Sequence, residues 1–143
     1  MSVRQIQAAG IIVYRYVDHE PWYLLLQYPS GYWGLCKGKL ESGEELRVCA
    51  LRELAEETAI TDVILDDTFE QVFSYRFFDL DGVRTTKTVT FFVGLTGASH
   101  VALSKEHLAY QWLPFDQALS QLTYKSTKNL LRQASMHIQR KGV

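Results

Sequence analysis

This sequence has few cysteines and prolines and no net positive charge, and each of these features excludes a class of protein. The two cysteines, Cys36 and Cys49, match no metal-ligand spacing and are too few for a disulfide scaffold, so we expect a reducing, cytoplasmic location. There is no linker rich in proline, glycine or serine, which predicts one domain over residues 1–143. A net charge of −1 and a pI near 6.4 argue against binding to long nucleic acids or membrane surfaces, because both need a broad basic face.

Long hydrophobic runs are also missing, since no run approaches the roughly 20 apolar residues of a membrane span. The shorter runs predict strands over 8–16, 22–28, 63–78, 86–95 and 109–113, with the turn Asp81-Gly82 joining a long hairpin. Helical patterns cover 44–58, 115–122 and 125–140. This order predicts an α+β fold in which helices pack against a sheet.

The first predicted helix gathers like charges. Glu53, Glu56 and Glu57 fall within an arc of about 100° on a helical wheel, where like-charged pairs cost roughly 0.2–0.5 kcal/mol each. A hard divalent cation such as Mg²⁺ or Mn²⁺ would convert this repulsion into shared coordination. The alternative interpretation is a solvated acidic face, and spacing alone does not decide between the two.

The same helix carries signals for its start and its packing. Ser42 followed by Glu45 predicts a capping box at its N-terminus. Val48, Leu51 and Ala55 lie opposite the glutamates on the wheel, which predicts that they form the buried face while the carboxylates point outward.

Glycine, arginine and glutamates around this helix follow a longer pattern. The matching residues are Gly38, Glu44, Arg52, Glu53, Glu56, Glu57 and Ile60. Their spacing resembles the Nudix box, G-x5-E-x7-R-E-U-x-E-E-x-G-U with U apolar. The one departure is Ala59 at the final glycine, where a left-handed conformation would cost an L-residue about 1 kcal/mol. Either the helix continues slightly beyond this position or the loop is modestly strained.

This resemblance implies a Nudix hydrolase with an α/β/α sandwich and a mixed sheet, which uses Mg²⁺ or Mn²⁺ to cleave a nucleoside diphosphate linked to a further group. It assigns the metal to the Gly38 carbonyl, Glu53 and Glu57, with Glu56 as a direct or water-mediated ligand. Arg52 is expected to orient a catalytic glutamate, and Glu44 to support the loop. Metal ions neutralise phosphate charge and activate water, which agrees with this chemistry.

A second resemblance narrows the substrate. The segment LSKEHLAYQWLPFDQAL, the strand GII and the strand KTV are similar to those of animal and archaeal asymmetrical bis(5′-nucleosyl)-tetraphosphatases. This resemblance implies hydrolysis of diadenosine tetraphosphate (Ap4A) to ATP and AMP by water attack on phosphorus. It also makes Glu106 a further metal ligand or general base. The alternatives are a pyrophosphohydrolase for nucleoside triphosphates or 5′-triphosphorylated RNA, and a nucleotide-sensing module without turnover.

The remaining candidates bind the substrate. Lys37, Lys39 and Lys87 are candidates for phosphate contacts as compact charges. Related enzymes stack adenine between aromatic rings, and the resemblance places Tyr124 at one such position. The second ring is expected from a hairpin with three candidates: Tyr75, Phe77 and Phe78. Cys36 replaces a proline of the family and is interpreted as a small packed side chain without a catalytic role.

Overall fold

A computed structural model describes residues 3–141 of the chain. The strands are β1 Arg4–Val17, β2 Glu20–Gln27, β3 Trp33–Gly34, β4 Cys36–Lys39, β5 Ile64–Leu65, β6 Gln71–Phe78, β7 Arg84–Leu95 and β8 Ala109–Pro114. The helices are α1 Leu46–Thr58, α2 Phe115–Gln121 and α3 Lys125–Lys141. Among these residues, no helix is long and apolar enough to cross a bilayer.

All eight strands belong to one mixed sheet built around β1. On one side, β1 pairs antiparallel with β4 through residues 8–11 and with β2 through residues 14–17. On the other side it runs parallel to β7. The antiparallel pair β6–β7 confirms the hairpin predicted at Asp81-Gly82, β1 and β2 form a second hairpin, and β8 pairs antiparallel with β2.

The sheet is covered on both faces, which confirms the α/β/α sandwich. Successive side chains of a strand point to opposite faces. Ile11 and Val13 therefore pack in one core with Leu54 of α1, while Ile12 packs in a second core with Leu131 of α3. The long apolar run of β1 is explained by this position, because a central strand is buried on both faces.

The predicted strand 63–78 is wrong in its middle. The chain leaves the sheet after Leu65 and turns at Asp66, whose Oδ1 accepts hydrogen bonds from the backbone N–H and the hydroxyl of Thr68, at 2.9 and 2.6 Å. An aspartate that bonds the backbone two residues further on mimics a turn. Strand structure therefore resumes only at Gln71.

The predicted capping box is also wrong. α1 begins at Leu46, and its N-cap residue Glu45 makes no side-chain capping bond. Gly43 has a φ of +76°, so the chain is still in a turn at the position where the sequence predicted the first helical residues. Glu44 is held instead by the backbone N–H of Glu41, which donates to its Oε1 at 3.0 Å.

The end of α1 explains the departure at Ala59. The helix stops at Thr58, and Ala59 adopts a left-handed conformation with φ 65° and ψ 10°. Its N–H still donates to the carbonyl of Ala55 at 2.9 Å. The turn that glycine would normally make is therefore made by an alanine, at a cost of about 1 kcal/mol.

Candidate active site

Glu53 and Glu57 of α1 point toward the protein while Glu56 stays exposed, which corrects the predicted orientation. Val48 and Leu51 are exposed, at 51% and 36%, and the predicted packing face made of Val48, Leu51 and Ala55 is therefore wrong. The buried side of the helix consists of Cys49, Ala50, Leu54, Glu57 and Thr58. The small residues Cys49 and Ala50 let the helix approach the sheet closely, so glutamates of the same face are carried into a partly buried site.

Arg52 connects the glutamates of this site. Its Nε and Nη2 donate to the two oxygens of Glu44 at 2.7 and 3.0 Å, and its Nη1 donates to Glu53 at 3.0 Å and Glu56 at 3.1 Å. Nη2 also donates to the carbonyl of Lys39 at 3.0 Å. The hydrogen bonds from Arg52 lower the pKa of Glu44 to about 2. One guanidinium thus ties the loop before α1 to the carboxylates on the helix.

Glu53 lies directly against Gly38 in β4. A Cβ on residue 38 would stand 1.9 Å from the carboxyl carbon of Glu53, a distance that real atoms do not adopt. Glycine at position 38 is therefore required by the position of this carboxylate. Burial raises the pKa of Glu53, although the hydrogen bond and charge of Arg52 oppose the shift.

Glu57 is the most enclosed carboxylate of the three, with 7% of its side chain exposed. Burial raises its pKa to about 8, and the charges of Glu53 and Glu106 add to the shift. The Cys36 thiol donates to Glu57 Oε2 at 3.4 Å, and His107 Nε2 lies 3.7 Å from the same oxygen. The protein places no permanent cation beside Glu57 among residues 3–141.

The chemistry of these donors fits a hard divalent cation. Carboxylates and a backbone carbonyl are the oxygen ligands that Mg²⁺ and Mn²⁺ prefer. Within residues 3–141, however, no three acidic, histidine or cysteine side chains are already grouped closely enough to hold a metal. The reason is local, because Arg52 engages Glu53 and Glu56, while Glu57 keeps its contacts with Cys36 and His107. A cation would bind by sharing these carboxylates with Arg52.

A cavity of about 690 Å³, with six aromatic residues among the thirteen that line it, reaches the carboxylates through Tyr28, whose ring packs on the His107 ring next to Glu57. Tyr32, Tyr75 and Tyr124 form part of its wall, together with Tyr28. Tyr28 and Tyr32 stack at 4.5 Å with their planes 7° apart, and the Tyr32 and Tyr124 rings are 5.2 Å apart. Lys37 also lines the cavity, and it precedes the glycine that contacts Glu53.

Two lysines near this cavity lie close enough for their positive charges to interact. Burial lowers the pKa of Lys37 to about 8, and the positive charge of Lys87 adds to the shift. Burial also lowers the pKa of Lys87, which stands opposite Tyr75 in the β6–β7 pair. Two partly desolvated ammonium groups that repel each other form a site suited to an anion.

Other predicted site residues are less enclosed. Lys39 is exposed at the end of β4, and Phe77 is 37% exposed and does not line the cavity. Phe78 is more exposed still, at 68%. Glu106 is exposed, but its negative charge contributes to the raised pKa of Glu57.

Sequence reasoning missed three residues of this site: His107, Tyr28 and Tyr32. His107 follows Glu106 in the segment that carries the family resemblance, but no spacing pattern of its own marks it as a site residue. Tyr28 and Tyr32 bracket the turn between β2 and β3, where the hydrogen bond from Tyr28 N to Tyr32 O places both rings on the cavity. Their aromatic character at the edge of a glycine-containing loop was the available signal.

A carboxylate helix on a mixed sheet, with an aromatic cavity and partly buried lysines near it, is the arrangement expected of an α/β/α hydrolase domain. The chain belongs to the Nudix family: the NUDIX domain model matches residues 5–134. It is 32% identical over 136 residues to the asymmetrical bis(5′-nucleosyl)-tetraphosphatase of Caenorhabditis elegans, with 91% of this chain and 94% of that protein covered. It is 31% identical over 140 residues to the enzyme of that name from Sus scrofa, covering 90% and 92% of the two chains.

Solved structures agree with this assignment. The crystal structure of a C. elegans Ap4A hydrolase binary complex superimposes with a TM-score of 0.82 at 28% identity, and the match covers 93% of this chain and 97% of that one. The protein is therefore a Nudix hydrolase in fold and family, and Nudix hydrolases generally use divalent metals such as Mg²⁺.

Proposed function

We propose that this protein hydrolyses diadenosine tetraphosphate to ATP and AMP with the help of a divalent metal ion. One observation carries the proposal. Tyr28 lines the aromatic cavity and packs against the His107 ring at 4.7 Å, and His107 Nε2 lies 3.7 Å from Glu57 Oε2. A nucleotide whose base lies in the cavity would therefore extend its phosphates toward the carboxylates. The names of the relatives from C. elegans and Sus scrofa support Ap4A as the substrate.

The aromatic cavity is suited to a purine base. Tyr75 and Tyr124 lie on its wall, with Tyr32 beside Tyr124. Base stacking on aromatic rings contributes roughly 1–3 kcal/mol per base and requires only a π-face. We assign Tyr124 and Tyr75 to base stacking. Phe77 supports the hairpin by packing against Tyr75, with the two ring centroids 5.8 Å apart.

The lysines near the cavity are the candidates for binding the polyphosphate. Lys37 and Lys87 are the better candidates, because each is partly desolvated and would regain a counter-charge from the phosphates. Lys39 lies at the exposed end of the same strand and is suited to the outer part of the phosphate chain. Arg52 is already engaged with three glutamates, so it serves to orient carboxylates rather than to bind phosphate.

The metal would be held by Glu53, Glu57 and the carbonyl of Gly38, with Glu56 as a direct or water-mediated ligand. Mg²⁺ or Mn²⁺ bound there would neutralise phosphate charge and lower the pKa of a bound water. Arg52 holds Glu53 toward Gly38 while Glu44 fixes Arg52. Glu106, whose charge reaches Glu57, is proposed as a further ligand or as the base that accepts the proton of the attacking water.

Product analysis tests this proposal. The protein is incubated with Ap4A and Mg²⁺ in H₂¹⁸O, beside a matched sample in EDTA, and the nucleotides are separated by chromatography. Equal amounts of ATP and AMP that require metal are expected, with one ¹⁸O in the AMP phosphate if water attacks the phosphorus that leaves with AMP. Two molecules of ADP would show symmetrical cleavage and contradict the proposal.

The alternative substrates are tested in the same experiment. Nucleoside triphosphates and a 5′-triphosphorylated RNA oligonucleotide are included, and release of pyrophosphate from these, without cleavage of Ap4A, would move the activity to a different Nudix substrate. Binding of nucleotides without any product would favour a sensing module. The domain assignment over residues 1–143 and the cytoplasmic location stay predictions from composition.

A further inference from the structure

The His107 ring occupies an unusual position for a histidine in a protein core. Its side chain is 1% exposed, and within residues 3–141 its Nε2 has no hydrogen-bond partner. That nitrogen lies 3.7 Å from Glu57 Oε2, slightly beyond hydrogen-bond distance. A buried donor without a partner is unfavourable, so its proximity to a reactive carboxylate calls for an explanation.

The orientation of the ring is set from its other side. Ser104 Oγ lies 3.5 Å from His107 Nδ1 and accepts the backbone N–H of Glu106 at 3.3 Å, which leaves its own hydroxyl hydrogen available to the ring. In the tautomer that accepts this hydrogen at Nδ1, Nε2 carries the ring hydrogen. Tyr28 packs edge to face against the imidazole at 4.7 Å. The Nε2–H is thus held toward Glu57 by contacts that do not involve Glu57.

A second donor meets the same carboxylate oxygen. The Cys36 thiol reaches Glu57 Oε2 at 3.4 Å from β4, while His107 approaches from the loop before β8. Cys36 is 2% exposed, so this contact is shielded from water, and the thiol is its donor. Both contacts fall on Oε2, and neither uses Oε1.

We propose that His107 is a positioning residue for Glu57, acting with the Cys36 thiol to hold Oε2 so that Oε1 faces the proposed metal and substrate. His107 itself touches neither of them. The inference rests on the proposed metal site, because it assigns a purpose to the orientation of one of its ligands. Hydrogen bonds to a metal-binding carboxylate fix its direction, and their loss typically lowers metal affinity or activity about 10–100-fold.

Two substitutions at position 107 separate positioning from packing. In His107→Gln the amide nitrogen reaches the place of Nε2 and retains a donor toward Glu57, whereas in His107→Asn the amide ends near Nδ1 and that donor is lost. Mn²⁺ alone is titrated into each purified variant and followed by calorimetry or by the EPR signal of free Mn²⁺. Thermal unfolding in EDTA confirms that each variant is folded, and His100→Asn, an exposed histidine on the same loop, is the matched control.

We expect His107→Asn to bind Mn²⁺ about 10–100-fold more weakly and to lose a similar factor in kcat with little change in KM. His107→Gln is expected to recover most of both losses. Cys36→Ala is expected to weaken Mn²⁺ binding, and Cys36→Ser, which retains an O–H donor, to restore it. Wild-type Mn²⁺ affinity in His107→Asn, or equal impairment of the Asn and Gln variants, would overturn the proposal.

The assays also distinguish this inference from the proposed substrate. If the wild-type protein binds Mn²⁺ but does not cleave Ap4A, and the Asn and Gln variants still differ, the substrate assignment fails and the positioning role stands. If Ap4A is cleaved and the variants bind Mn²⁺ like the wild type, the positioning role fails and the substrate assignment stands.

Discussion

Replacing Glu57 by glutamine tests the electrostatic account of the site directly. Glutamine keeps the shape of the side chain but has no charge to desolvate. Burial raises the pKa of Glu57 from its ordinary value of 4.5 to about 8. Because 93% of the side chain is removed from water, with 7% exposed, solvent screening does not reduce the effect much.

The sign of the effect follows from the protons bound in each state. Between pH 4.5 and 8 the folded protein holds a proton on Glu57 that the unfolded chain has lost, so stability is highest at low pH and decreases as pH rises through the pKa of about 8. Each pH unit above the ordinary pKa lowers the free energy of unfolding by about 1.36 kcal/mol. Since pH 7 lies about 2.5 units above that pKa, the loss there is about 3 kcal/mol. Glu57→Gln removes this loss.

The assay is thermal unfolding in EDTA between pH 5 and pH 9. A domain of this size shifts its Tm by about 2–4 °C per kcal/mol, so the variant is expected to melt about 6–12 °C higher at pH 7. The difference should shrink toward pH 5. Glu56→Gln is the matched control: this side chain is 56% exposed and bonded to Arg52, so its loss should cost at most about 1 kcal/mol at any pH.

Addition of Mg²⁺ should reverse the order of stability, because the wild-type protein binds the ion better than the variant. Turnover of Glu57→Gln should fall by orders of magnitude, although the protein is folded. A Glu57→Gln variant that is no more stable than wild type at pH 7 in EDTA would refute the desolvation argument. Near-wild-type turnover would refute the catalytic assignment.

Three further substitutions test other parts of the structure. Ala59→Gly should stabilise the protein by about 0.5–1 kcal/mol in urea unfolding, since glycine relieves the left-handed strain at φ 65° but increases unfolded-state entropy; a loss of stability would contradict the turn geometry. Gly38→Ala should lower turnover at least tenfold, because the new methyl group displaces the carboxylate of Glu53. The free energy of unfolding should change by about 1 kcal/mol or less, since only the flexible end of that side chain moves. Unchanged turnover would argue against the contact between residue 38 and Glu53. Tyr124→Leu should raise KM for Ap4A about 5–100-fold and leave kcat nearly unchanged, as expected for a lost stacking contact, and a change in kcat alone would exclude this role.

The strands and the catalytic motif could be predicted because local signals determine them. Apolar runs with turn residues between them located β1, β2 and the hairpin of β6 and β7. Spacing alone placed Arg52, Glu53 and Glu57 on one helix with Gly38 before it. The missing glycine at Ala59 left two alternatives, a longer helix or a strained turn, and the structure shows the strained turn.

The orientation of α1 could not be predicted from its periodicity. A helical wheel shows which residues share a face, but both faces of this helix contain apolar side chains, and the wheel does not say which face meets the sheet. Val48 and Leu51 are more hydrophobic than Ala50, yet they are exposed. The small residues pack inside because close approach to the sheet brings Glu57 to the site, and functional positioning outweighs burial of the larger side chains.

Contacts between segments that are distant in the chain could also not be predicted from the sequence. Glu57 and His107 are separated by about 50 positions in the chain, and only the path of the loop before β8 brings them within 3.7 Å. The resemblance to known motifs made Glu106 a candidate site residue, but its buried neighbour His107 has no spacing signal of its own. Long-range pairs of this kind follow from the packing of the loop against the helix.

Glu44 and Glu57 show why a cation from outside the chain is expected at this site. Both belong to the same motif, yet the pKa of Glu44 is lowered to about 2 by hydrogen bonds from Arg52, while burial raises that of Glu57 to about 8. The protein thus supplies a permanent positive charge to one glutamate and withholds it from the other. His107 does not compensate, because burial lowers its pKa and keeps the ring neutral. Ionisation of Glu57 therefore becomes favourable when a divalent ion arrives, and binding of Mn²⁺ near pH 7 should release about one proton, which calorimetry in buffers of different ionisation enthalpy would measure.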